Sequence, residues 1–123
     1  MQKSLCALFI LLAASLPAYA QEKPDIPDPE CDGGTFDMVK CMEDATAKWD
    51  KRLNEAYRET LKEGPKEQQA QLRKAQRLWV QFRDANCAYY GLSEGSIRHV
   101  LYGSCRLDMT KARAKELEAA PGN

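Results

Sequence analysis

A glycine–proline pair at positions 64 and 65 separates the two longest helical patterns in this sequence. Glycine suits the left-handed position just past a helix end, and proline suits the first turn of the next helix. The sequence therefore predicts a first helix from about Phe36 to Glu63 and a second helix that runs to about Tyr90. Because the connection is so short, the two helices are expected to form an antiparallel hairpin.

The remainder of the chain predicts one more helix. Ser96 is a candidate N-cap, and apolar residues recur at helical spacing from Ile97 to about Ala119. No stretch of useful length alternates apolar and polar residues as a half-buried strand does. The predicted fold class is therefore all-α: an antiparallel helical hairpin plus a third helix, stapled by disulfides.

The stretch from Leu72 to Cys87 concentrates the aromatic and polar residues that could fix one packing arrangement. Gln76, Arg83 and Asp84 border its expected core face, either as a buried network or as a surface that meets a partner. The buried network is the more common case, because buried polar groups are usually hydrogen-bonded. The residues expected to face the core recur at three- and four-residue steps: Leu72, Ala75, Trp79, Phe82, Asn86 and Tyr89.

The first twenty residues have the pattern of a secretory signal peptide. Lys3 gives the positive start, residues 5–16 give the apolar run, and residues 18–20 form a small-x-small cleavage site, with the cut expected after Ala20. The apolar run is too short to span a bilayer, and no cysteine lies at the cleavage point to carry a lipid. The pattern predicts an exported protein, periplasmic or secreted, with no membrane anchor.

Three further segments follow the predicted signal peptide. Residues 21–34 are expected to be a mobile leader and turn, because QEKPDIPDPE is rich in proline and acid. Thr35 is a candidate cap for the first helix. Residues 35–119 are expected to be the helical domain, and residues 120–123 a C-terminal tail.

Signal removal leaves four cysteines, Cys31, Cys41, Cys87 and Cys105, in an oxidising compartment. An even number in such a compartment predicts two disulfides. Cys41 and Cys87 lie at similar distances from the hairpin turn, which favours Cys41–Cys87 with Cys31–Cys105, while two local disulfides are the alternative. A zinc site is disfavoured, because no two cysteines have a metal-binding spacing and His99 is the sole histidine.

Charge and motifs exclude several function classes. The full chain has 18 basic and 18 acidic residues, and the signal segment carries one lysine and no acid, so the mature chain has 17 against 18 and a net charge of −1. This balance predicts neither nucleic-acid binding nor membrane binding. No serine lies in a glycine-flanked nucleophile turn, and no phosphate-binding glycine loop occurs. The sequence predicts a non-enzymatic protein without a cofactor or metal.

An ordered set of motifs runs through the chain: Cys41, Asp50-x-x-Leu53-Asn54-x-x-Tyr57, Leu72-x-x-x-Gln76-x-x-Trp79-x-x-x-Arg83-Asp84-x-x-Cys87, Gly95-Ser96-Ile97, Cys105, Thr110, Arg113 and Leu117. Together they resemble the LprI-type lysozyme-inhibitor N-terminal domain family, over residues 31–117. The resemblance implies an exported bacterial helical domain whose founding member is a lysozyme-inhibiting lipoprotein. This chain lacks the lipid-attachment cysteine, which favours the periplasm over surface anchoring.

Two groups of residues are candidates for distinct roles. The motif residues are expected to form a structural network: Asp50, Asn54, Tyr57, Gln76, Trp79, Arg83, Asp84 and Arg113. The connection between the second and third helices is the candidate partner-binding loop, with Ser93, Glu94, Ser96, Arg98 and His99.

The resemblance and the loop lead to two hypotheses on function. Muramidase inhibitors generally put a loop into the sugar-binding cleft against its carboxylates, and Arg98 and His99 suit that role. The expected partner is therefore a lysozyme-like muramidase, whose inhibition would protect peptidoglycan. The alternative is a structural or adaptor protein of the bacterial envelope, which binds another envelope protein and has no effect on lysozyme.

Overall fold

The computed structural model describes residues 23–120 and consists of three helices with short connections. The helices are α1 (Thr35–Glu63), α2 (Lys66–Gly91) and α3 (Ile97–Glu118). Residues 23–120 contain no strand, so the all-α prediction is confirmed. The predicted signal peptide with its cleavage site, and residues 121–123, lie outside the described residues.

A glycine lies at each end of α1, and both ends differ from the prediction. The N-cap is Gly34 rather than Thr35, and the Gly34 N–H donates to the Asp37 carboxylate at 3.3 Å. Gly33 has a φ of 100°, a conformation that favours glycine. Gly64 is extended (φ −87°, ψ 152°) instead of left-handed, because the residue before a proline is driven to the extended region.

The hydrophobic core lies between α1 and α3. Trp49 is its largest side chain and is completely buried. Helix α3 packs mainly against α1, whereas α2 packs against α3 and barely contacts α1. The buried core residues recur at helical spacing on both helices: Ala45, Trp49, Leu53 and Ala56 on α1, with Leu107, Ala114 and Leu117 on α3.

The predicted core face of α2 is wrong in part. Leu72 and Trp79 do pack against the core, but Phe82 is 61% exposed and Tyr89 is 72% exposed. The buried residues of α2 are Arg83 and Cys87. The helix is rotated about its axis relative to the prediction, because polar and covalent links to α3 fix which face turns inward.

The favoured disulfide pairing is also wrong. The bonds are Cys31–Cys41 and Cys87–Cys105, which are the two local pairs. The first joins the leader to the start of α1, and the second joins α2 to α3. The physical reason is the packing order: since α2 lies against α3 and hardly touches α1, the Cys87 thiol meets one from α3.

The leader, residues 23–34, has no helix or strand, as its composition predicts, but it contacts the helical domain. Ile26 packs against the core, and the Pro24 carbonyl accepts a hydrogen bond from Arg52 at 2.9 Å. Composition could not predict these contacts, because their partners lie far along the chain. The ion pairs of the leader are Lys23–Glu59 (3.1 Å), Asp25–Lys115 (3.2 Å), Asp25–Arg52 (3.9 Å) and Asp28–Lys111.

These ion pairs hold lysines over the Trp49 ring. The ammonium groups of Lys115 and Lys111 lie 5.6 and 5.7 Å from the ring centroid. The hydrogen bond from Lys115 lowers the pKa of Asp25, and the hydrogen bond to Asp28 raises the pKa of Lys111. The leader therefore covers the most buried part of the α1–α3 core with pairs that are charged at neutral pH.

Candidate functional site

An open groove of about 620 Å³ lies between α1 and the first half of α3, with α2 contributing one side chain. Its lining residues are Val39, Glu43, Thr46, Ala47 and Asp50 from α1, Arg83 from α2, and His99, Tyr102, Gly103 and Arg106 from α3.

Gly103 sets the separation of α1 and α3 beside the groove. A Cβ atom at this position would lie 3.3 Å from the Met42 sulfur and 3.5 Å from the Met42 Cβ. Gly103 lies in the interior of α3 and is buried. The absence of a side chain therefore allows the close approach of the helices, which offsets the low helix propensity of glycine.

Opposite charges line the two sides of the groove. Arg83, whose side chain is 9% exposed, pairs with Asp84 at 2.9 Å and lies over the Trp79 ring at 5.0 Å. The same Asp84 oxygen accepts a hydrogen bond from Arg106 at 3.0 Å. Two guanidinium groups thus share one carboxylate, which leaves the α2–α3 side with a net positive charge, whereas Glu43 and Asp50 make the α1 side acidic.

The α3 side of the groove presents an aromatic and a basic residue together. Arg106 donates to the Tyr102 hydroxyl at 3.3 Å, and its guanidinium lies 5.8 Å from the ring centroid. His99 lies one turn before Tyr102, and Arg98 Nε donates to its Nε2 at 3.4 Å. Arg98, His99 and Tyr102 are exposed and Arg106 is half-buried, so the four residues form a row that can bind a polar surface with carboxylates and hydrogen-bonding groups.

The predicted partner-binding loop lies at one end of this row. Gly95 has a φ of 73°, and a Cβ atom there would meet nothing within 4 Å, so the tip of the loop is open. Ser93 is half-buried, while Glu94 and Ser96 are exposed, and Ser96 makes no side-chain capping hydrogen bond. Because α3 begins at Ile97, Arg98 and His99 belong to its first turn.

The eight residues of the predicted structural network fall into separate places. Asn54 donates to the Asp50 carboxylate at 3.0 Å on the exposed surface of α1. Gln76 accepts from Arg113 at 3.1 Å, which links α2 to α3. Tyr57 packs against the core on α1. The remaining three residues, Trp79, Arg83 and Asp84, lie together beside the groove.

Seven of the ten groove residues were not among the predicted site residues, and two of these seven, Tyr102 and Arg106, form the aromatic and basic part of the α3 side. Their signal in the sequence is the four-residue spacing, which places them on one face of a helix. Arg106 also follows Cys105 directly, so the sequence places a basic residue beside a disulfide cysteine. Neither signal identifies Asp84 as the shared partner, because that contact depends on the rotation of α2.

Residues 23–120 contain neither a cluster that could hold a metal ion nor a helix that could span a membrane. No group of three or more histidine, cysteine, aspartate or glutamate side chains there is arranged to hold a metal ion. None of the three helices in that range is long and apolar enough to cross a membrane.

These features define a small all-α domain with two disulfides and an open polar groove at one end. The chain belongs to the lysozyme inhibitor LprI family, whose model matches residues 29–117. It is similar to the uncharacterized protein R02472 of Rhizobium meliloti (strain 1021), with 29% identity over 135 residues, 96% of this chain and 94% of that protein. No solved structure shows a significant match. The family resemblance found in the sequence is thereby confirmed.

Proposed function

We propose that this protein is an exported, non-enzymatic binding domain that inhibits a lysozyme-like muramidase and so protects peptidoglycan. The observation that carries the proposal is the LprI family match, which extends from the leader through almost all of α3. Two disulfides fit an exported protein, because such bonds persist in oxidising compartments. The signal-peptide pattern of residues 1–20 supports the proposed export to the periplasm or beyond it.

The proposed contact is the segment Ser93–His99, with Arg98 and His99 as the main contributors. Both side chains are exposed, and the Cys87–Cys105 bond fastens together the two helices that this segment connects. Binding residues are often found on loops held by a rigid scaffold. A muramidase cleft contains a pair of carboxylic residues, which a guanidinium and an imidazole can approach as hydrogen-bond donors.

Tyr102 and Arg106 extend the proposed contact along α3. They follow His99 by one and two turns, so the muramidase rim can lie on the row while the loop enters the cleft. Arg106 is 30% exposed at its side chain, and its bond to Asp84 fixes its position before binding. Such preorganisation lowers the entropy lost on binding.

The test is a muramidase inhibition assay with Arg98→Ala combined with His99→Ala. Inhibition should weaken by about tenfold or more, which corresponds to roughly 1.4 kcal/mol, with an unchanged helical circular-dichroism signal. The matched control is Lys48→Ala with Lys51→Ala, two exposed lysines of α1, which removes at least as much positive charge away from the loop. The control should inhibit as the parent does.

Two results would contradict parts of the proposal. Equal potency of the parent and the Arg98, His99 variant would remove the contact from this segment. A parent protein that inhibits no muramidase would favour the second candidate, an envelope adaptor. The observation in favour of that candidate is the net charge of −1, which gives little electrostatic steering toward a strongly basic lysozyme.

A further inference from the structure

Helix α2 and its C-cap residue, Leu92, carry a row of exposed apolar residues on the side away from Arg83 and Cys87. Leu78 is 54% exposed, Phe82 61%, Tyr89 72% and Leu92 84%. Ala85 is exposed between them. The steps along the row are four, three, four and three residues, which is the heptad spacing of a helix that packs against another helix. We call these five residues the α2 seam.

We propose that the α2 seam binds the α2 seam of a second copy of this chain, with the two helices antiparallel. A two-fold interface uses the same patch on both copies, and a heptad row is self-complementary in this way. None of the five seam residues is charged. The mature chain has a net charge of −1, so two copies repel each other little.

The antiparallel register follows from side-chain size. With the two-fold axis between Phe82 and Ala85, each Phe82 lies opposite Ala85 of the second copy, and each Leu78 lies opposite Tyr89. A large residue therefore meets a small one at the centre, which allows close packing without overlap. The outer residue Leu92 then lies opposite Ala75.

Charge complementarity supports the same register. Three exposed basic residues, Arg73, Lys74 and Arg77, lie in the first half of α2. In the antiparallel dimer they reach the C-terminal end of the partner helix, which is the negative end of its dipole. Lys74 then lies opposite Ser93 of the second copy, within reach of the exposed Glu94. A parallel pair would instead bring the two basic clusters together, with like-charge repulsion.

The size of the seam indicates a weak dimer. From Lys74 to Leu92 the helix rises by about 27 Å, at roughly 1.5 Å per residue. A single helix pair of this length lies at the low end of specific interfaces, which are otherwise above roughly 1,200 Å² in total. The dimer is therefore expected to be weak and to form only at high protein concentration. The groove stays open, because none of its lining residues belongs to the seam.

The test is sedimentation equilibrium of the purified protein, expressed with its own signal peptide, over about 10 to 1,000 μM. The parent should shift from monomer to dimer mass, and Phe82→Glu should remain monomeric throughout. The matched control is Phe36→Glu, the same change at a 79% exposed phenylalanine of α1, which should dimerise as the parent does. A parent that is monomeric throughout, or a Phe36→Glu variant as impaired as Phe82→Glu, would overturn the proposal.

Charge exchange tests the register. Lys74→Glu and Glu94→Lys should each raise the dimer dissociation constant about fivefold, because each change affects two symmetric contacts. The double variant should return to within about twofold of the parent. Circular dichroism should stay unchanged, since both side chains are exposed. A double variant weaker than both single variants would overturn the antiparallel arrangement.

Discussion

Helices α1 and α2 both pack against α3, but different forces hold them there. The α1–α3 contact is an apolar core around Trp49 and Leu53. The α2–α3 contact includes the partly buried Leu72 and Trp79, but it relies on the Cys87–Cys105 bond and on polar links such as Gln76 with Arg113 and Asp84 with Arg106. Apolar burial is non-directional, whereas these links are directional. The comparison teaches that α1 and α3 form the scaffold, while specific links set the orientation of α2.

The leader belongs to the scaffold side of this comparison. Its aspartates pair with Lys111 and Lys115 above Trp49, and the Cys31–Cys41 bond fastens it to α1. Among residues 23–120, no segment covers α2 in this way, and the α2 seam is exposed. One side of the domain is therefore closed, whereas the other side has apolar and basic residues available for contacts.

The largest expected effect is at the scaffold. Trp49→Ala should lower the free energy of unfolding by about 3 to 5 kcal/mol, because it empties the centre of the core. Trp79→Ala should have roughly half that effect, since Trp79 of α2 is only partly buried. Urea denaturation followed by circular dichroism measures both. Equal losses would mean that α2 is packed as firmly as α1.

The next effect concerns the disulfides. Replacing Cys87 and Cys105 together by alanine should lower stability by about 2 to 4 kcal/mol. The matched replacement of Cys31 and Cys41 should have a smaller effect, because that bond closes a shorter loop, with a separation of 10 rather than 18 residues, and holds the leader rather than a helix. The urea midpoints of the two variants rank them, and the reverse order would contradict the comparison.

A smaller effect is expected at the polar link between α2 and α3. Gln76→Ala should lower stability by about 1 to 2 kcal/mol, because the buried Arg113 guanidinium loses an acceptor. Gln81→Ala is the matched control, an exposed glutamine of the same helix, with a change below about 0.5 kcal/mol. If thermal unfolding gives the two variants the same midpoint, the link does not hold α2.

The smallest effect is a pH dependence of the leader. The pKa of Asp25 is lowered in the folded state, so its contribution is present above the unfolded pKa and is lost as pH falls through the folded pKa. The raised pKa of Lys111 gives the opposite sign, with a contribution present below the unfolded pKa and lost as pH rises through the folded pKa. Trp49 fluorescence in a Trp79→Phe background should therefore be constant near neutral pH and change at both extremes. Asp25→Asn should remove part of the acid change.

The helix bounds could be predicted from the sequence, but the packing arrangement of the helices could not. Gly64–Pro65 and Gly91 mark the helix ends, because local chain chemistry decides such boundaries. The rotation of α2 could not be predicted, since Phe82 and Tyr89 have helical apolar spacing whether they face the core or solvent. Periodicity finds an apolar face without saying what covers it.

For the candidate functional site, single residues could be predicted from the sequence, but the groove that they line could not. Family motifs identified Arg83 and Asp84, and turn residues identified the loop around Gly95. The groove was not predictable, because it depends on the α1–α3 contact and on the close approach at Gly103. The disulfide pairing failed for the same reason: hairpin geometry says nothing about which helix α3 will pack against.

Native-state amide hydrogen exchange tests most directly whether α1 and α3 form the scaffold and α2 is held by its links. At neutral pH, the slowest amides should lie in α1 and α3 around Trp49, Leu53 and Ala114, which are buried in the core. Reduction of the disulfides should speed exchange in α2 well before it affects those amides. Equal loss of protection in all three helices on reduction would contradict this division, because it would mean that the domain opens as one unit.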